Sequence, residues 1–298
     1  MSRPPTEKKG PSLQEALTRA TRLLEEVGID SARLDAEILL GEVMGLPRHQ
    51  LYARLHDTLE KKPLGRFKRA ISKRSKRIPL QYLVGHVEFM SLDFLIKKGI
   101  FIPRPETELV VEAVLERADV SKEVKILDIG TGSGNIAVSL AVMIVGARVY
   151  ASDISQKALR LARLNAERYL VEDRVSFLHG SLYEPFEGLG LEGHVDFIVS
   201  NPPYVPEGEW KALQPEVRDY EDPRALLGGG EGLDCYRVIV KGAPRWLRPG
   251  GWLVLELGED QADGVEALLR GVAELGDITL VKDLQGIRRV IIARQREG

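Results

Sequence analysis

Apolar positions recur at two different periods along this chain, and the change of period divides it. Up to about residue 78 they fall at helical spacing. Ser12 and Glu15 have the form of a capping box, followed by Leu13, Ala16, Leu17, Leu23 and Leu24, with Gly28 as a stop. Ser31 opens a second helix through Leu34, Ile38, Leu39 and Val43, closed by Gly45 and Pro47. A third segment carries Leu64, Phe67, Ile71 and Ile78. The pattern predicts a small helical-bundle domain over 1–78 and a linker over 79–102. Within the linker, His86 to Met90 and Leu92 to Ile96 form a β-hairpin around Ser91.

Over 103–298 the period changes. Thr107 or Glu106 starts a helix, and from Val124 strands and helices alternate, which predicts an α/β domain with a mainly parallel sheet. Strands are expected at Val124–Ile129, Arg148–Ser152, Val175–His179, around Phe197–Val199, and at Trp252–Leu257, Ile278–Val281 and Arg288–Ala293, making a seven-stranded sheet. Helices are expected from about Asn135 to Val145, from Ser155 to Tyr169, and from Leu233 to Trp246. Residues 205–230, rich in Pro, Gly and charge, read as a loop covering a substrate.

Composition changes this picture little. Apolar content of 44% and charged content of 29% are those of an ordinary soluble protein. No apolar run has the length of a membrane span, and Met1 to Lys9 lacks a signal-peptide core, so a cytoplasmic protein with no membrane contact is expected. Cys235 is the one cysteine and reads as a small apolar core residue; the five histidines share no ligand spacing, so no metal is expected. Charge is more informative. Residues 1–98 carry 19 Lys and Arg against 12 Asp and Glu, so with 42 and 44 in all the remainder is acidic. Lys61, Lys62, Arg66, Lys68, Arg69, Lys73, Arg74, Lys76 and Arg77 make the third helical segment basic. Either that run is a solvated face, or it docks an acidic protein or RNA phosphates.

Candidate chemistry gathers at two strand ends. After Val124–Ile129 comes Gly130-Thr-Gly132-Ser-Gly134, a turn that lets backbone approach a ligand. Asp153, at the end of the next strand, suits both hydroxyls of a ribose. The spacing is not that of dinucleotide enzymes, whose close-packing glycine would fall at 135, where Asn stands. Asp128 adds negative charge that repels a pyrophosphate and welcomes a cation. S-adenosylmethionine, with sulfonium, ammonium and adenosine but no phosphate, matches both acids. At the second strand end, two prolines hold Asn201 rigidly within Asn201-Pro-Pro-Tyr204. The Asn201 side-chain oxygen and the Pro202 carbonyl offer converging acceptors for a substrate –NH2 group.

The runs Pro79-Leu-Gln-Tyr-Leu-Val-Gly85, Phe101-Ile-Pro-Arg-Pro-Glu-Thr-Glu108, Leu127-Asp-Ile-Gly-Thr-Gly-Ser-Gly134 and Asn201-Pro-Pro-Tyr204 together resemble the HemK/PrmC family. Asp222 to Gly229, Gly232 to Arg237 and Leu255 to Gln261 extend the likeness, which spans roughly residue 78 to the end. The resemblance implies a class I methyltransferase with a Rossmann-like fold. Its activity would be transfer of a methyl group from S-adenosylmethionine, leaving S-adenosylhomocysteine, to the glutamine amide nitrogen of the Gly-Gly-Gln motif in peptide chain release factors. It implies cofactor contacts at Phe101, Asp128, Gly130, Thr131, Gly132, Ser133, Gly134, Asp153, Ile154, Ser181, Leu182 and Asn201. Substrate contacts fall at Asn201, Pro202, Pro203 and Tyr204, with Asn201, Pro202 and Tyr204 catalytic. Two positions depart from the family pattern: Glu231 where Asp is frequent, and Ser181-Leu182 for an Asp-aromatic pair beside the adenine. An adenine-N6 nucleic-acid methyltransferase would use the same acceptors, and a non-catalytic adapter is the third reading; the acidic second half argues against the former and the intact loop against the latter.

Overall fold

The computed structural model describes residues 10–297 and divides into two compact units, 1–85 with 215–220, and 86–214 with 221–298. The boundary falls at Gly85 rather than at 78, and the hairpin goes with the second unit. The segment read for a leader, Met1 to Lys9, lies outside the described residues. Among the described residues no helix is long and apolar enough to cross a membrane.

The first unit is helical: α1 (Leu13–Glu26), α2 (Ala32–Met44), α3 (Arg48–Ala53), α4 (Lys61–Arg74) and α5 (Leu80–Val84). The capping box forms in full, with Ser12 Oγ accepting from the Glu15 amide at 3.1 Å and Glu15 Oε2 from the Ser12 amide at 3.0 Å. Ser31 does not cap in this way; its hydroxyl donates to Asp35 Oδ1. Gly45, in the left-handed region, closes α2. Helix α4 ends at Arg74, short of Ile78: Arg77 lies in the left-handed region at φ 65°, and Pro79 disfavours helical backbone at Ile78. Leu13, Leu17, Leu24, Leu40, Leu51, Phe67 and Ile71 form the core. The basic run is only partly free. Arg74 is buried and pairs with Asp35 and Glu216, and Arg77 pairs with Glu216, whereas Lys61, Lys62, Arg66, Lys68, Arg69, Lys73 and Lys76 are exposed.

The second unit begins with a hairpin, β1 (His86–Phe89) and β2 (Leu92–Leu95). Met90 and Ser91 turn it with φ of 51° and 58°, as a two-residue connection of twisted strands requires. A 3-10 turn (Pro105–Thr107) leads into α6 (Glu108–Leu115). Then follow β3 (Val124–Ile129), α7 (Asn135–Met143), β4 (Ala147–Asp153), α8 (Gln156–Arg168), β5 (Val175–His179) and β6 (Val195–Ser200). The chain closes with α9 (Asp234–Trp246), β7 (Leu247–Glu256), α10 (Ala262–Arg270), β8 (Leu275–Lys282) and β9 (Arg288–Gln295). The seven strands run β5-β4-β3-β6-β7-β9-β8, all parallel except β9, which is antiparallel to both neighbours.

Alternation along the strands feeds two cores. Ile126, Val149, Phe197 and Val199 meet apolar residues of α6 and α7 on one face. Leu127, Ile198, Leu253 and Leu255 meet α9 and α10 on the other. Strand β7 starts earlier than expected, running through Pro249-Gly-Gly251. Its surplus residues are absorbed in a bulge, since Val195 pairs with Leu247 but Phe197 pairs with Trp252. Helix α10 was not foreseen.

Candidate active site

The strand order reverses at β3, which has β4 on one side and β6 on the other. In register, Ile129 lies between Ser152 and Ser200, so three strand ends open side by side. Open α/β sheets bind ligands at such a point, because the chains leaving adjacent strands diverge and leave a crevice. Here the crevice is a cavity of about 230 Å³. Its walls come from Gly130–Gly132, Asp153–Ser155, Gly180–Leu182 and Asn201–Tyr204, each at or after a strand end, with Phe101, Thr107, Asp222 and residues 224–227.

The glycine turn is held by what surrounds it. Gly132 has φ of 56° and its amide donates to Asp153 Oδ2 at 2.9 Å. The Ser155 amide donates to Asp153 Oδ1 at 2.7 Å, so both carboxylate oxygens are aimed and each keeps a lone pair for a ligand. Burial pushes the Asp153 carboxyl up, against the two amide bonds and the nearby Arg224. Gly134 supplies the close packing that dinucleotide enzymes place one residue later. A Cβ on it would lie 2.9 Å from Ala162 Cβ, so α7 starts against α8 only because nothing is there. Asp128 does not line the cavity. It is fully buried behind the turn, accepting from Thr131 Oγ1 at 2.6 Å, and burial lifts its carboxyl to about 7.

Asn201 stands at the end of β6. Its Nδ2 donates to Thr107 Oγ1 at 3.2 Å, and its Oδ1 takes no hydrogen bond from any described residue. The Tyr204 carbonyl is clamped by Gln261 Nε2 at 2.7 Å, and Gln261 also holds the Gly232 carbonyl and the Gly258 amide. Burial pushes the Tyr204 phenol up, so it stays neutral near pH 7. Phe101 carries the Arg104 guanidinium 5.0 Å from its ring centre, and the buried Glu221 holds both Arg104 and the Ile102 amide.

Of the residues singled out by sequence, Phe101, Gly130, Thr131, Gly132, Asp153, Ile154, Ser181, Leu182 and Asn201 to Tyr204 line this one cavity. Asp128, Ser133 and Gly134 do not; they shape the turn from behind. Ser181 and Leu182 form wall, with Leu182 turned by a φ of 49° and its carbonyl fixed by Ser152 Oγ. Cys235 is a partial correction: it packs against the core but is only half-buried and also lines the cavity. Glu231 is exposed and pairs with Arg237. Thr107, Glu221, Glu256 and Gln261 were missed. Nothing in their spacing marks them, although three lie inside the motif runs and Glu221 adjoins one. Among the described residues no group of His, Cys, Asp and Glu has the arrangement to hold a metal ion.

Residues 15–85 match the PrmC N-terminal domain and residues 93–215 the methyltransferase small domain. A curated protein of Moorella thermoacetica, "Release factor glutamine methyltransferase", is 46% identical over 96% of this chain and 99% of its own length. A crystal structure from Alicyclobacillus acidocaldarius, a protein-(glutamine-N5) methyltransferase (release factor-specific), is 31% identical, covering 65% of this chain and 94% of that one, with a TM-score of 0.41. A methyltransferase from Pyrococcus furiosus shares the fold at 19% identity and a TM-score of 0.51, covering 70% of this chain and 91% of that one.

Proposed function

Since the chain belongs to the release factor glutamine methyltransferases, we propose that it methylates the side-chain amide nitrogen, N5, of the Gly-Gly-Gln glutamine in peptide chain release factors. The observation that carries this reading is that Asn201 and Pro202, which bring the two acceptors, line the same cavity as the glycine turn and Asp153.

The cavity suits S-adenosylmethionine. Asp153 is aimed for a ribose, the walls beside it include Ile136, Ile154, Ala158 and Leu182, and the buried Asp128 favours a cation over a phosphate. When bound, this cofactor supplies a methyl group already activated on a sulfonium. Everything else falls to the protein. An amide nitrogen is a poor nucleophile because its lone pair is delocalised into the carbonyl. Asn201 Oδ1 and the Pro202 carbonyl each accept one N–H, orienting the nitrogen and favouring its pyramidalisation. Both bonds strengthen as positive charge grows on nitrogen, so they lower the barrier rather than merely bind. Tyr204 and Phe101 offer ring faces to the glutamine side chain and to the methylsulfonium. Apposition of methyl and nitrogen supplies much of the remaining acceleration. With Tyr204 kept neutral, the proton leaves the methylated nitrogen to water.

The exposed face of α4, with Lys68, Arg69 and Lys73, and Lys76 just beyond its end, is the part of the first unit suited to an acidic protein surface or RNA phosphates. Because a release factor acts at the ribosome, the reaction is assigned to the cytoplasm as part of this proposal. An adenine amino group would present the same two donors, and the family decides for glutamine. The test is incubation with methyl-labelled S-adenosylmethionine and either a release factor or DNA, followed by peptide mass spectrometry. One methyl group on the motif glutamine is expected; label on adenine, or on neither, overturns the reading.

A further inference from the structure

Only one end of the Asn201 amide suits the substrate. Oxygen toward the cavity accepts an N–H, whereas nitrogen toward the cavity would set donor against donor. The two ends have nearly the same shape, so packing alone cannot choose between them. Asn201 Nδ2 meets Thr107 Oγ1 at 3.2 Å. Thr107, 1% exposed, stands in the 3-10 turn before α6. The carboxyl of Glu256, 2% exposed at the end of β7, lies near enough for hydrogen bonding to the Thr107 hydroxyl to lower its pKa. Glu256 Oε2 has no hydrogen-bond partner among the described residues.

The chain of bonds has a direction set by its last member. An ionised carboxylate can only accept, so the single Thr107 proton goes to Glu256. Thr107 is then left with lone pairs alone for Asn201, and only the amide nitrogen can donate to them. Burial lifts the Glu256 carboxyl to about 7, Glu106 adding to this while Arg289 and Arg104 oppose it and the Tyr204 and Tyr236 phenols lie nearby. At about pH 8 the acceptor-only form predominates. We propose that Thr107, anchored by Glu256, is a positioning residue that holds the Asn201 amide with its oxygen toward the substrate. This deepens the function proposed above and rests on Asn201 being an acceptor for the glutamine.

Thr107→Val keeps the shape and removes the hydroxyl, so the amide can turn over. At about pH 8, kcat for a release factor should fall by roughly 10- to 100-fold, with KM and S-adenosylhomocysteine affinity within about threefold. Thr107→Ser should restore most of the rate. A release factor with Gly-Gly-Glu is expected to compete poorly with the wild-type enzyme, but at least about tenfold better with Thr107→Val, because a turned amide donates to the carboxylate. Glu256→Gln can donate to Thr107 and so reverse the chain of bonds; it should shift kcat and competition the same way, and it carries the test should the valine variant not fold. A wild-type kcat in the folded variant, a loss that serine does not mend, or no gain for Gly-Gly-Glu overturns the proposal. Failure of the wild-type enzyme to methylate glutamine sinks instead the reading on which it rests.

Discussion

Replacing Gly134 by alanine separates two reasons for a glycine that sequence cannot tell apart. At φ of 82° any Cβ is strained, at a cost of about 1–2 kcal/mol. At this position the Cβ would also meet Ala162, 2.9 Å from its Cβ and 3.2 Å from its Cα, the second being backbone of α8 that cannot step aside. Overpacking of that kind adds about 1–3 kcal/mol, so Gly134→Ala should destabilise the second unit by about 2–5 kcal/mol. Gly132 is the control. Its φ of 56° carries the strain, but a Cβ there meets nothing within 4 Å, so Gly132→Ala should cost only about 1–2 kcal/mol. Urea unfolding followed by tryptophan fluorescence reads the correct unit, because Trp210, Trp246 and Trp252 all belong to it. Gly134→Ala should also weaken S-adenosylhomocysteine binding, since α7 can no longer seat the turn against α8. If the two variants lower the unfolding midpoint equally, the close approach contributes nothing and the proposed seating of the loop is wrong.

Asp153→Ala should weaken S-adenosylmethionine binding by about 1.5–3 kcal/mol, the worth of hydrogen bonds to a charged acceptor; unchanged affinity by calorimetry removes Asp153 from the site. Reversing Arg69, Lys73 and Lys76 to Glu should raise KM for a release factor in a salt-dependent way while leaving turnover of a short Gly-Gly-Gln peptide near normal. Equal indifference of both substrates makes the run a solvated face. For Asp128, burial raises the folded carboxyl to about 7, above its unfolded value, so the folded state holds the proton more tightly. The wild-type protein is therefore penalised increasingly as pH climbs through that range, and Asp128→Asn should gain stability relative to it by about 2–4 kcal/mol between about pH 5 and pH 8. A stability difference independent of pH contradicts this.

The sequence showed most of the frame because local signals and tertiary packing agree there. The Ser12 box, the Met90-Ser91 turn and the uninterrupted apolar runs of β3 and β6 each depend on neighbours in the chain. Helix α10 was hidden although Val265, Leu268 and Leu269 stand at helical spacing, because its run is short and begins after a turn of Gly, Glu and Asp. The site was legible where a residue's own chemistry suits the proposed ligand, as at Asp153 and Asn201, both of which line the cavity. It was not legible where they act through another residue. Thr107 lies 94 positions from the amide it meets and Gln261 lies 57 from the carbonyl it clamps, distances that no local pattern encodes. Cys235 was misread because an α9 position beside the cavity has the same composition as a core position. Likewise, Arg74 and Arg77 were counted with a solvent face, because Glu216, the carboxylate that pairs with both, lies far away in sequence.

The central proposal is that Asn201 and Pro202 receive the glutamine amide and are felt mainly in the transition state. Single-turnover methyl transfer to a release factor by Asn201→Ala, with enzyme and cofactor saturating, isolates that step from binding and product release. A loss of about 10²–10³-fold in the rate of transfer is expected, as for removal of one preorganised partner of a developing charge. A rate near that of the wild-type enzyme would mean that the amide is held elsewhere.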